Sequence, residues 1–160
     1  MANELEVTGN TRLTWSLTDT QAIGSATRSA EQKSARNLSH GTGPNQANCA
    51  WSAQYTITGA GSLSLNAASL VMPSFGYSGN ASLTQIKEVL LSVATGPTGG
   101  YVTFGMPTGA TGVRVNVGGQ FHWLDYLAGV GATGSFVVQN AVTGTYSVDL
   151  SVVGNGTYVV

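Results

Sequence analysis

The chain has 160 residues, the size of one ordinary domain, and only 8% of it is charged, where a soluble domain carries roughly 25%. Its net charge of −1 gives no electrostatic reason to expect nucleic acid or an anionic membrane as partner. A single cysteine, Cys49, excludes an internal disulfide framework and a Cys-rich zinc site, and no apolar run approaches the ~18–20 residues of a membrane span.

The opening Met1-Ala2-Asn3-Glu4-Leu5-Glu6 is acidic and polar, so no Sec-type leader is expected. Leu13, Trp15 and Leu17 then alternate with Thr14, Ser16 and Thr18, which is the period of a strand. Residues 19–47 are poor in large apolar side chains, yet Arg28, Lys33 and Arg36 are half of the basic residues. Such a segment does not repay its ordering entropy alone. It reads either as a solvated loop or polar two-stranded ribbon, or as an arm that orders against a neighbour.

Alternation returns at 51–58 and 62–65, where Gly59-Ala60-Gly61 between them suggests a hairpin loop. Residues 85–94 are ambiguous: Ile86, Val89, Leu90 and Val93 suit one helix face or a central strand. The glycine-rich loop that follows favours strand. Further strands are expected at 101–104, 113–117, 135–139, 145–152 and 157–160. In the stretch at 145–152, Tyr146, Val148, Leu150 and Val152 should face a core, with Asp149 opposite. Short strands with Gly-rich turns predict an all-β protein. The expected architecture is a single β-sandwich or jelly-roll-like domain over 48–160, preceded by an N-terminal strand and polar arm over 1–47.

Catalytic chemistry finds little support. There is no Gly-x-Ser-x-Gly turn, and the two histidines, His40 and His122, are far apart in sequence. Acids do not cluster in the way a metal site or a carboxylate pair requires. The glycines at 41–43 lack the lysine of a phosphate loop. Cys49 has no charged neighbours, which suits a buried structural thiol. No enzyme activity, cofactor or metal is expected. The densest aromatic patch, Phe121-His122-Trp123-Leu124-Asp125-Tyr126, reads as core packing or as an exposed platform for sugar rings.

The shortage of charge bears on assembly. Residues 37–86 contain no Asp, Glu, Lys or Arg. Charge is depleted at the buried centres of protein interfaces, so a homo-oligomer is the favoured reading over a weakly charged monomer.

The segment Gly41-Thr42-Gly43-Pro44-Asn45-Gln46-Ala47-Asn48-Cys49-Ala50-Trp51 resembles small virion structural proteins of tailed bacteriophages. In those proteins a similar stretch precedes a strand that begins with an aromatic residue. A Leu-rich segment (63–70) and a valine-rich closing strand ending in Gly (146–154) follow in the same order. Asn66 and Ser69 stand where more acidic character is usual. The resemblance implies a non-enzymatic protein made in the host cytoplasm and carried on the outer capsid surface as a decoration, or cement, protein. Its partners would be copies of itself, a trimer preferred because three-fold positions are common attachment points, and the major capsid protein. Leu13, Trp15 and Leu17, with Arg28, Lys33 and Arg36, would be the partner-binding residues of the arm. The competing reading is a tail-fibre or spike head that binds a host-surface glycan through Trp123 and Tyr126.

Overall fold

A computed structural model describes Leu5 and residues 7–21, 24–71, 79–107, 112–125 and 127–159. Among the described residues every regular element is a β-strand. β1 (Val7–Gln21) and β2 (Gly24–His40) form a long antiparallel hairpin, and β3 (Gln46–Ala47) runs parallel to the end of β2. β4 (Cys49–Gly59), β5 (Ser62–Asn66), β6 (Leu70–Val71) and β7 (Asn80–Thr95) follow. After them come β8 (Tyr101–Gly105), β9 (Val113–Asn116), β10 (Gln120–Leu124) and β11 (Val130–Gly131). β12 (Ser135–Asn140) and β13 (Gly144–Val159) close the chain.

In the body, β7 pairs with β13 along its whole length, and β4 takes the other edge of β13. The second edge of β7 is served in relay by β6, β11 and β10, each pairing with a different stretch. A separate antiparallel sheet has the order β5-β12-β8-β9. Both sheets feed one apolar core. The Phe104 ring on β8 lies 5.4 Å from the Phe121 ring on β10 and 6.2 Å from that of Phe136 on β12, which joins the two sheets through aromatic packing.

Period-two alternation explains the burial. Tyr146, Val148, Leu150 and Val152 are all fully buried, as their spacing predicts, and Asp149 lies on the opposite face. The ambiguous stretch at 85–94 is strand. Ile86, Val89, Leu91 and Val93 are fully buried, and β13 provides an antiparallel complement along the whole of β7, which a helix would forfeit.

Two expectations need correction. Gly59-Ala60-Gly61 does not close a hairpin, because β4 pairs with β13 and β5 with β12, so the glycines carry the chain from one sheet to the other. The strand expected at 157–160 is instead the far end of β13. That strand stays on β7 by absorbing three register shifts, at Ser147/Val148, Val153/Gly154 and Asn155/Gly156. Its glycines make this feasible. A Cβ on Gly154 would collide with the backbone oxygen of Gln85, and one on Gly156 with that of Ser82.

Candidate functional site

The β1–β2 hairpin is a two-stranded ribbon in unbroken register from Val7↔Leu38 to Gln21↔Gly24. Its 15 paired positions span ~50 Å at the usual rise of a strand. Opposed residues of an antiparallel pair share a face, so register alone sorts the positions by face. One face carries Leu13, Trp15 and Leu17, opposite Gln32, Ala30 and Arg28. The other carries Thr8, Asn10, Arg12, Thr14, Ser16, Thr18 and Thr20. Of the six arm residues expected from sequence, Leu13, Trp15, Leu17, Arg28 and Arg36 fall on the first face, and Lys33 falls on the polar face opposite Arg12. The side chains of these six lie outside the described residues; Ala30, the register partner of Trp15, is exposed. A two-stranded ribbon is marginal in water without cover on one face.

The ribbon is fastened at its root. Leu38 and Ala47 are buried together, with Leu5 and Val153 packed on them. Between β2 and β4 the chain folds into a buckle. The Gly43 amide donates to Gln46 Oε1 at 2.9 Å, the Gln46 amide to the Gly43 carbonyl at 3.1 Å, and the Gly41 amide to the Ala47 carbonyl at 3.1 Å. Asn45 takes a left-handed φ of 55°, a conformation asparagine tolerates better than most residues. Gly41 has a φ of 147°, and a Cβ there would strike the Gln46 side chain.

Asparagines tie the buckle to β13. The Asn48 amide donates to the Gly154 carbonyl at 3.1 Å, and Asn48 Oδ1 accepts from the Gly156 amide at 2.9 Å. Asn155 Nδ2 donates to the Thr42 carbonyl at 3.1 Å and to Gln85 Oε1 at 2.8 Å. Nearby, the Tyr158 hydroxyl accepts from the Ala50 amide at 2.7 Å and donates to the Ala50 carbonyl at 2.9 Å. Sequence reasoning singled out neither Asn48 nor Asn155 for this role. The available signal was Gly154-Asn155-Gly156, one polar residue between two glycines inside an apolar strand.

The remaining chemistry-bearing residues do not converge. His122 Nε2 lies 2.7 Å from Glu88 Oε1 on the outer face of the β7 sheet. Trp123 is opposite Val89 and packs, partly buried, against the core; Tyr126, its companion in the glycan reading, lies outside the described residues. His40 is exposed at the end of β2, with Nδ1 accepting from the Leu5 amide at 3.3 Å. Cys49 is buried, and burial pushes its thiol pKa up against the lowering effect of a hydrogen bond with Tyr158. Among the described residues, no three His, Cys, Asp or Glu side chains are grouped to hold a metal. No protein-family model matches the chain, and no curated protein gives a significant match to it.

Proposed function

We propose that this chain is a non-enzymatic virion structural protein of the capsid decoration type. In this reading it sits on the outer shell, with its two sheets closed as a sandwich and its ribbon acting as an arm across a neighbour. The observation that carries this is the ribbon itself: a ~50 Å hairpin that places Leu13, Trp15 and Leu17 on one face by register, is exposed at Ala30 and, among the described residues, packs on the body at Leu38. A free protein gains little by holding such an element. A protein that must bridge subunits gains a strap, and several linked copies turn a modest contact into strong attachment. The resemblance at 41–51 supports the same reading, because those residues build the buckle from which the strap leaves the body.

Assembly in the host cytoplasm, self-association and contact with the major capsid protein belong to this proposal. The glycan-binding alternative has less support, since Trp123 is packed on the core. The test is the copy number of the chain in purified particles, together with particle binding by a Trp15→Ser/Leu17→Ser variant. Decoration requires hundreds of copies in simple ratio to the shell protein, and at least a tenfold loss of binding in the variant. Copies in single digits or low tens would favour the tail reading, and absence from particles would remove the virion reading.

A further inference from the structure

We infer that residues 127–131, with Asp125 at their head, form a latch on β7 that opens together with the buckle at the root of the ribbon, because Gln85 is bonded towards both. The coupling lies within a single chain and is independent of the virion role.

The latch leads from β10 to β11 along the edge of β7, from Leu124↔Glu88 to Val130↔Ile86. Asp125 holds its turn, with Oδ1 accepting from the Leu127 and Ala128 amides at 3.2 Å each. Three further bonds fix it to β7. The Asp125 amide donates to the Lys87 carbonyl at 2.8 Å, buried Lys87 donates from Nζ to the Leu127 carbonyl at 2.9 Å, and Gln85 Nε2 donates to the Ala128 carbonyl. Gly129 permits the close approach: its φ is 65°, and a Cβ there would lie 2.6 Å from the Ile86 carbonyl oxygen. Leu127 is left exposed on the outside.

Gln85 also faces the buckle. Its Oε1 accepts from Asn155 Nδ2 at 2.8 Å, and the same Nδ2 donates to the Thr42 carbonyl at 3.1 Å. A path of three hydrogen bonds thus runs from Thr42 in the buckle to Ala128 in the latch. Its direction is locked, because both ends are carbonyls, which only accept. Turning the Gln85 amide over would set its oxygen against the Ala128 carbonyl and its NH2 against that of Asn155. Turning Asn155 over would set its oxygen against the Thr42 carbonyl and Gln85 Oε1. Either movement breaks a bond on each side, so neither segment is released alone.

The backbone gives way easily at this point. Gly154↔Ile86 and Asn155↔Gln85 are the two pairs between the register shifts at Val153/Gly154 and Asn155/Gly156, where a ladder is locally disrupted. The side-chain path spans this interruption, and bonds in such a path strengthen one another.

The test is amide hydrogen exchange on the full chain, read by segment, in Asp125→Ala, Gln85→Met and the double variant. Asp125 makes no bond to the buckle among the described residues. Its replacement should nevertheless speed exchange of the Gly41, Gln46 and Asn48 amides by about threefold or more, together with that of 127–131, while β12 exchanges as before. Gln85→Met keeps the reach of the side chain and removes both bonds, so it should speed both segments by about tenfold. In the Gln85→Met background, Asp125→Ala should add nothing at 41–48. An Asp125→Ala chain that exchanges at 41–48 as the parent does would show the segments held separately and overturn the inference. So would equal acceleration in β12, which would place both segments in the cooperative unit of the core. Asp125 is only half-buried, so that variant decides the matter even if Gln85→Met does not fold.

Discussion

The β1–β2 hairpin and the β7–β13 pair are ladders of nearly equal length. In the β7–β13 pair, Val148, Leu150 and Val152 face Val93, Leu91 and Val89, and all six are fully buried. In the hairpin, Leu13, Trp15 and Leu17 pair with Gln32, Ala30 and Arg28, so at these positions the large apolar residues come from β1 alone. Both are paired along their length, but large apolar residues oppose one another across the strands at these positions only in the β7–β13 pair. Backbone pairing therefore decides the shape of each ladder, and side-chain burial decides which can hold itself together.

The sharpest way to break this contrast is to remove one apolar side chain from each ladder. Leu150→Ala should cost about 2–5 kcal/mol of stability in denaturant unfolding, because it leaves a cavity in a fully buried site. Trp15→Ala in dilute protein should change the same midpoint by less than about 0.5 kcal/mol. Equal losses would show that the hairpin already has an apolar partner within its own chain. Hydrogen exchange sharpens the point: amides of β1 should exchange far faster than those of β13, and slow down at concentrations where chains associate.

A smaller effect is expected where the two regions meet. Asn48→Ala removes the acceptor of the Gly156 amide and leaves that donor without a partner, at a cost of about 1–2 kcal/mol. Limited proteolysis should then cut within 41–48, releasing the ribbon from an intact body. Cleavage throughout the chain instead would mean that the buckle is part of the core's own cooperative unit.

How much of this was legible in the sequence follows from the same contrast. Strict alternation at 145–152 announces both strand and buried face, because a period of two has one physical reading when one face is apolar. The Leu13-Trp15-Leu17 stripe was equally legible as strand. Its continuation as β2 was legible only as one of two forms, loop or ribbon, because residues 24–36 contain no large apolar side chain. Pairing partners were less accessible. Gly59-Ala60-Gly61 has the composition of a hairpin turn, yet β4 chose β13, 85 residues later at Gly59↔Gly144. Nothing local encodes that choice, since long-range pairing is set by which apolar faces fill one core. The junction was hidden for a related reason. Asn48 acts across 106–108 residues of sequence and Asn155 across 70 and 113, and an asparagine in a loop looks the same whether it caps a turn or holds a distant strand.

Inside the well-packed ladder two buried side-chain atoms of β13 lack a hydrogen-bond partner among the described residues, Asn155 Oδ1 and the Tyr146 hydroxyl. Gly96 and Gly100 leave room for the Tyr146 ring. Tyr146→Phe removes an unsatisfied group and keeps the ring, so it should stabilise the protein by about 1 kcal/mol. A loss of stability would instead identify an ordered water at that hydroxyl.

The weakest effect expected is that of alkaline pH, and its sign follows from burial. Tyr158 has its pKa raised above the ordinary 10.0, chiefly by burial and secondarily by the nearby Cys49, against the lowering effect of its bond to the Ala50 backbone. Tyr55 is raised from 10.0 by burial alone, and Cys49 from 9.0. In each case the folded chain holds its proton more tightly than the unfolded chain does. The stabilisation is complete below the unfolded values and is lost as pH climbs from about 9 through the raised folded values. Thermal midpoints should therefore be flat from pH 7 to 8.5 and fall above pH 9. Cys49 and Tyr158 lie at the ends of β4 and β13 near the root of the ribbon, while Tyr55 lies farther along β4 opposite Val148, so the loss should begin at Cys49 and Tyr158. A Tyr55→Phe/Tyr158→Phe variant should start from a lower midpoint, because the Ala50 bonds are gone, and should fall less steeply between pH 9 and 11. An unchanged slope would assign the alkaline loss to groups elsewhere in the chain and separate it from the junction.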